Sequence, residues 1–423
     1  MKNHTHLKSL IIIATIGIAS SMPLHGETAK LPSFVEQAKL LERACAFVLN
    51  TNGVPIGTGF FVEQHIPEPG VYFVTARHVL EAPGLFSAKH AVLKLRINSV
   101  DGKSGEESSN LLALDGERPW LEHKNDAVDI AVVPILALRK ERPNPQLGLT
   151  CISYVNRPTK PIVIDNRWMF ALVFPRNEKV NFANAPFRKR YGIDVGSPIL
   201  TMGLVPMIEI SNPLRKGNLP NLIMHKRGYI GAMPQVPMVT RLPRHPVGLA
   251  KSIFIDCQVV HGNSGSPVFV QTPSPTNEMS KSYHLLGIAS AITPDVVSPT
   301  NVNWGSDVSC IVPVDYLCDI LEYPETEALQ RDLNRCFIKS REYHKEREDV
   351  LKQCKEAMEY SKSVTNAQEV AVLQKKAKQL LERSKKLLEM EKEVNRNLFK
   401  RYRTDDLDEP RDGLMPKPYF NYW

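Results

Sequence analysis

No proline and no glycine occurs between Glu325 and Tyr402. A stretch that lacks both residues and is filled with Lys, Glu, Leu, Gln and Ala has little alternative to long helix. Pro324 closes the preceding pattern. Before it the chain is punctuated by proline and glycine throughout, so two regions of different class are expected. In the helical region Leu373, Ala377, Leu380, Leu387, Val394 and Leu398 recur at three-and-four spacing. Ser384 and Glu391 interrupt that stripe, so a helical hairpin packing on itself or on a partner competes with a two-stranded coiled coil over residues 325–402. The end, 403–423, reads as an extended segment.

Charge follows the same division. The formal net charge is +8, and from Arg331 to Arg403 there are 20 Lys and Arg against 12 Asp and Glu. The whole excess therefore lies in the tail. The region before it is near neutral and gives no support to a nucleic-acid partner. The basic helix is either a solvated face or a contact to a second copy or a partner protein.

Between about residues 40 and 320 the chain is a series of short runs rich in β-branched and aromatic residues, among them "CAFVLN", "GTGFFV", "VYFVTA", "DIAVVPI", "SIFIDCQVV" and "LLGIASAI". No strand–helix–strand alternation occurs, which excludes a doubly wound sheet and points to an antiparallel sandwich or barrel. The stretch 143–244 is expected to hold long loops between strands. At "VPVDYLCDILEY" the period changes, and Val314, Leu317, Ile320 and Leu321 share a helical face.

Lys2 and Lys8 flank a short apolar run, Leu10 to Ile18, with small residues after it. This is the layout of a secretory signal peptide, taken as residues 1–26, and an exported, periplasmic or secreted protein is expected, with no membrane span after its removal. The seven cysteines are too sparse for a disulfide scaffold, and their odd number leaves at least one thiol outside any internal pairing. No HExxH, GxGxxG or P-loop pattern is present, so neither a metal nor a cofactor is expected.

The chemistry is concentrated at "VVHGNSGSPVFV". Two valine-rich runs break to place Ser264 close to two glycines. A serine hydroxyl needs a base within reach and a place for negative charge to develop. Glycine lets the backbone turn so that the amides of Gly262 and Ser264 point at one spot, an oxyanion hole. The base is sought at the end of an apolar strand, in "VYFVTARH", which gives His78; His65 follows a turn-like stretch and lacks that setting. The carboxylate that would orient the imidazole is Asp129, at the head of "DIAVVPI", with Asp126 in the loop before it. His, Asp and Ser in this chain order form one of the known arrangements of the serine triad.

"GTGFFV…TARH", "DIAVV" and "GNSGSPVF…LLGIASAI" together resemble the trypsin-like serine peptidases, and most nearly the exported bacterial HtrA-type group. The resemblance covers roughly residues 40–322, with the peptidase region taken as 35–322. It implies a mainly β fold of two antiparallel six-stranded barrels, followed here by an α-helical C-terminal tail. It implies a serine endopeptidase acting on proteins or peptides, with His78 as base, Asp129 as orienter and Ser264 as nucleophile. Gly262 and Ser264 would donate to the oxyanion, and the strand Ala289-Ser290-Ala291 would pair with substrate backbone. The alternative is a catalytically weak or inactive fold that binds partners through its cleft or tail.

Departures from the family pattern carry expectations too. Gln258 stands where the floor of the primary specificity pocket is expected, so cleavage after Lys or Arg is not, and a small or apolar residue is preferred. Asn263 in place of an acid removes the ion pair used for zymogen activation. Arg77, before the histidine, would crowd the cleft or touch substrate. The PDZ domains usual in that group are replaced by the charged helix.

Overall fold

The computed structural model describes residues 34–401, except for 65–69, 83–84, 86–91, 99–103, 111–119, 136, 145–148, 157–162, 175–181, 205–222, 241–244, 246, 258, 261, 275–276 and 291–307. The expected signal peptide, the extended end, Gln258, Ala291 and His65 lie outside the described residues. No described helix is long and apolar enough to cross a membrane.

After a short helix α1 (Phe34–Glu42), the first half contains β1 (Cys45–Leu49), β2 (Pro55–Gln64), β3 (Gly70–Thr75), helix α2 (Arg77–Leu80), β4 (Val92–Asn98), β5 (Ser104–Asn110), β6 (Leu121–Glu122), β7 (Ala131–Ile135), β8 (Ala137–Asn144), β9 (Leu149–Asn156) and β10 (Val163–Phe174). The second half contains helix α3 (Ala185–Arg190), β11 (Pro198–Leu204), β12 (Ile223–Ala232), β13 (Met238–Thr240), β14 (Gly248–Ala250), β15 (Ile253–Asp256), β16 (Pro267–Ser274), β17 (Asn277–Ser290) and β18 (Val308–Pro313). Three helices follow: α4 (Val314–Leu321), α5 (Pro324–Ser363) and α6 (Ala367–Arg401).

The second half closes as expected, a six-stranded barrel in the order β11-β12-β15-β18-β17-β16. The first half differs from expectation: it is a ten-stranded sheet, and no second closed barrel is described. The cause lies in β2, which is long enough to carry three partners. It pairs with β1 along Pro55–Phe60, with β3 along 59–64, and in parallel with β10 at 62–64. Through β10 the strands β9 and β8 extend the sheet. The stretch 143–244, expected to hold long loops between strands, supplies β9 to β13 and α3.

Why these runs read as continuously apolar rather than alternating is clear from the core. In β1, Phe47 and Leu49 belong to one buried cluster while Ala46 and Val48 belong to another. Tyr72 and Val74 of β3 face the first, and Val71 and Phe73 the second. Period-two alternation persists, but both faces are covered. The first cluster is shared between the halves: it takes Phe269, Leu285 and Ile288 from the barrel and Leu317, Ile320 and Leu321 from α4. A third cluster fills the barrel, from Ile199, Ile255, Val268 and Ile311 among others.

The tail is a helical hairpin. Leu329, Leu333, Cys336, Ser340, Val350, Cys354 and Ala357 are buried along α5, and Ala377, Ser384, Leu387 and Glu391 along α6. The residues that interrupt the apolar stripe therefore face the partner helix like the rest. Glu391, 3% exposed, lies 3.7 Å from Arg347 and 3.9 Å from His344. A buried charge opposite another fixes register at a cost in stability. The base of the hairpin is continuous with the main core through Leu329, Leu333 and Cys336. Gln64 Nε2 also donates to the Leu321 carbonyl at 3.1 Å, just ahead of α5. Removing one member of the buried pair leaves the other uncompensated, so Glu391→Ala is expected to lower stability by about 3 kcal/mol. The joint change Glu391→Leu and Arg347→Leu is expected to be neutral or stabilising; urea unfolding followed by helical circular dichroism checks both.

Candidate active site

The register of the sheet brings His78 and Asp129 together. β3 and β7 run antiparallel with Thr75 opposite Ala131. His78 follows Thr75 by one tight helical step in α2, and Asp129 precedes Ala131, so both fall at the same end of the strand pair. The imidazole Nδ1 is 2.7 Å from Asp129 Oδ2, and the His78 backbone N–H donates to Oδ1 at 3.0 Å. The Ser290 hydroxyl, from the end of β17, donates to Oδ2 at 2.7 Å. Asp129 is 2% exposed, while the His78 side chain keeps 22% of its surface open.

Burial alone would raise the Asp129 carboxyl. The charge and hydrogen bonds of His78, with the Ser290 hydroxyl, outweigh it and hold Asp129 below its usual value. Burial likewise pushes His78 down, and the adjoining Asp129 carboxylate outweighs it, so the imidazole stands above the ordinary histidine value. The pair's contribution to stability is lost as pH rises through the raised His78 value and as it falls through the lowered Asp129 value. It is fully present between about pH 4 and 6.5, the ordinary values of the two groups.

Ser264 sits in the turn ahead of β16, 4% exposed, with positive φ at Gly262 (90°) and Gly265 (86°). Thr58 of β2 grips this turn from the other half: its Oγ1 donates to the Gly262 carbonyl at 2.8 Å and its N–H to the Ser264 carbonyl at 2.9 Å. A Cβ at Gly265 would lie 2.0 Å from the Thr58 carbonyl oxygen and 2.9 Å from Ala76 N, so only glycine allows this approach. Ala76 is the N-cap of the helix that carries His78. On the other side Gly265 N–H donates to the Ala289 carbonyl at 2.8 Å, next to Ser290. The turn, the imidazole and the carboxylate thus share one locus where the halves meet.

Two amides stand out. Asn263 N–H donates to Val260 O and Gly265 N–H to Ala289 O. Among the described residues, neither the Gly262 N–H nor the Ser264 N–H is taken by an acceptor. No hydrogen bond joins Ser264 Oγ to His78 among the described residues.

The protein is similar to solved structures only remotely. Deg5 is 15% identical, with 67% of this chain and 90% of that chain covered at a TM-score of 0.34. The Rv3671c protease from M. tuberculosis in its active form is 10% identical, with 67% and 82% covered at a TM-score of 0.35. Its inactive form is 12% identical, with 68% and 91% covered at 0.33. No protein-family model and no curated protein matches the sequence.

Some placements differ from the sequence reading. Arg77 does not crowd the cleft: it is fully buried, and its Nη2 donates to the Asp126 carbonyl. The carboxylates of Glu81, Glu122 and Asp126 lie 3.7 to 3.8 Å from its guanidinium. It ties the helix of His78 to the loop leading into Asp129. Asp126 is in that loop and exposed. Ala289 has both peptide groups occupied, its carbonyl by Gly265 and its N–H by the Ser266 carbonyl at 2.8 Å. The Ser290 bond to Asp129 and the Thr58 grip are not evident from motif reading; threonine between two glycines in "GTGFFV" is the one signal for the latter.

Nuclear magnetic resonance of ring-labelled histidine checks the electrostatics. His78 is expected to titrate above about 6.5. In Asp129→Asn desolvation is opposed only by the Glu81 charge, the smallest of the raising causes, and the value is expected to fall.

Proposed function

We propose that the protein is an exported serine endopeptidase of the trypsin-like kind, working through an acyl-enzyme. The observation that carries this reading is the pairing of two unengaged amides, on Gly262 and Ser264, with a doubly hydrogen-bonded His78–Asp129 pair in the same locus. A turn that only reversed the chain would have no use for a buried carboxylate holding an imidazole beside it.

The chemistry runs as follows. His78 Nε2 takes the proton of Ser264 Oγ as that oxygen attacks the scissile carbonyl carbon. Asp129 keeps Nδ1 protonated, so that Nε2 is the basic nitrogen, and stabilises the imidazolium without taking its proton. The oxyanion of the tetrahedral intermediate is bound by the amides of Gly262 and Ser264. Collapse breaks the C–N bond, and the imidazolium gives its proton to the leaving amine. Water, activated by the same nitrogen, then releases the acyl group. The serine–histidine hydrogen bond forms in the substrate complex; catalytic bonds are often open in its absence.

Substrate is a protein or peptide in extended form, aligned along the strand end at Ser290 and Ala291, with Ala289 serving the nucleophile turn. Gln258 sets the primary pocket and favours a small or apolar residue over Lys or Arg. The apolar N-terminal run directs export. Cleavage of an unfolded protein such as casein is expected from the full chain. Ser264→Ala is expected to lower that rate at least about a thousandfold with unchanged thermal unfolding; undiminished cleavage by this variant would remove Ser264 from the reaction.

A further inference from the structure

The neighbour of the nucleophile is held from outside its own turn. Lys226 lies in β12 opposite Thr201, between the exposed His225 and Arg227. Its side chain is partly buried, and its Nζ donates to Asn263 Oδ1 at 3.2 Å. Asn263 is 2% exposed. The same oxygen accepts the Val260 N–H at 3.0 Å, and the Asn263 N–H returns to the Val260 carbonyl at 2.9 Å. The Asn263 carbonyl accepts the Ser266 N–H at 2.9 Å. A Cβ at Gly203 would lie 2.6 Å from Asn263 Nδ2, so the amide is enclosed on that side as well.

These contacts make Asn263 the hub of the segment 260–266. The Asn263 carbonyl and the Ser264 N–H belong to one peptide plane, and the plane on the other side of Asn263 carries the Gly262 carbonyl, which accepts from Thr58 Oγ1 at 2.8 Å. Whatever fixes Asn263 therefore fixes the aim of the Ser264 amide. The remaining partners named here belong to the turn itself. Lys226 ties it to the barrel wall, through a charged donor, which makes a stronger bond than a neutral one. Burial pushes the Lys226 ammonium down, with the Cys257 thiol opposing it, so its charge is kept there against a cost.

We propose that Lys226 is a positioning residue: its ammonium holds Asn263 so that the Ser264 amide stays aimed at an oxyanion. This rests on the reading of Ser264 as nucleophile.

An oxyanion contact is made in the transition state, so its loss appears in kcat rather than KM. The test uses the full chain with a p-nitrophenyl ester, in wild type, Lys226→Met and Lys226→Arg. In wild type, a burst of one p-nitrophenol per chain is expected. Lys226→Met is expected to lower kcat by about 100- to 1,000-fold, the range for a lost oxyanion donor, with KM within about threefold and the melting temperature unchanged. Lys226→Arg, which keeps a cationic donor, is expected to recover most of the loss. A wild-type burst with undiminished kcat in Lys226→Met overturns the role of Lys226 alone. A loss that Lys226→Arg does not recover, together with a lowered melting temperature, marks a merely structural residue and also overturns it. Ester hydrolysis that is absent in wild type, or undiminished in Ser264→Ala, overturns the nucleophile assignment and the Lys226 role with it.

Discussion

A carboxylate that is 2% exposed cannot remain ionised without compensation, and Asp129 receives it from both halves of the molecule. The His78 backbone and ring donate from the first sheet, and the Ser290 hydroxyl donates from the barrel. His78 follows the end of β3 and Ser290 ends β17, and the interiors of both strands are packed in cores. Satisfying one buried charge therefore fixes how the two halves meet. It also fixes the tautomer of His78, because the nitrogen facing Asp129 is committed to it.

Around that charge the structure divides its tasks. The short helix after β3 carries His78, the loop entering β7 carries Asp129, and a glycine-bearing turn carries Ser264. Thr58 crosses from β2 to hold the turn's carbonyls, while Lys226 holds its asparagine from β12. Arg77 joins the His78 helix to the loop before Asp129. Among the described residues of the turn, the Gly262 and Ser264 amides have no acceptor, where the proposed reaction needs them. The helical hairpin is anchored on the shared core through Leu329 and Leu333, and a polar layer of His344, Arg347 and Glu391 sets its register.

Much of this was legible in the residues. The absence of proline and glycine after Pro324 announced the helices, and β-branched runs announced the strands. Chain order and strand setting singled out His78 over His65 and Asp129 over Asp126. What was hidden depended on three-dimensional pairing. The extra strands from 143–244 join the first sheet through a parallel contact with β2, which no local pattern encodes. Arg77 reads as a residue that crowds the cleft until three carboxylates are found around it. Glu391 looks like a break in an apolar stripe because its partners, His344 and Arg347, lie on the other helix. Lys226 and Asn263 are separated by a whole barrel turn of sequence, so their bond leaves no signal along the chain.

The central claim is that Ser264 is an activated nucleophile. Its most direct measurement is reaction of the intact chain with a biotinylated fluorophosphonate, followed by peptide mapping of the adduct. A single adduct on Ser264, faster as pH rises through the His78 titration and lost in His78→Ala, is the predicted result. An unmodified Ser264, or an adduct formed equally fast without His78, would contradict it.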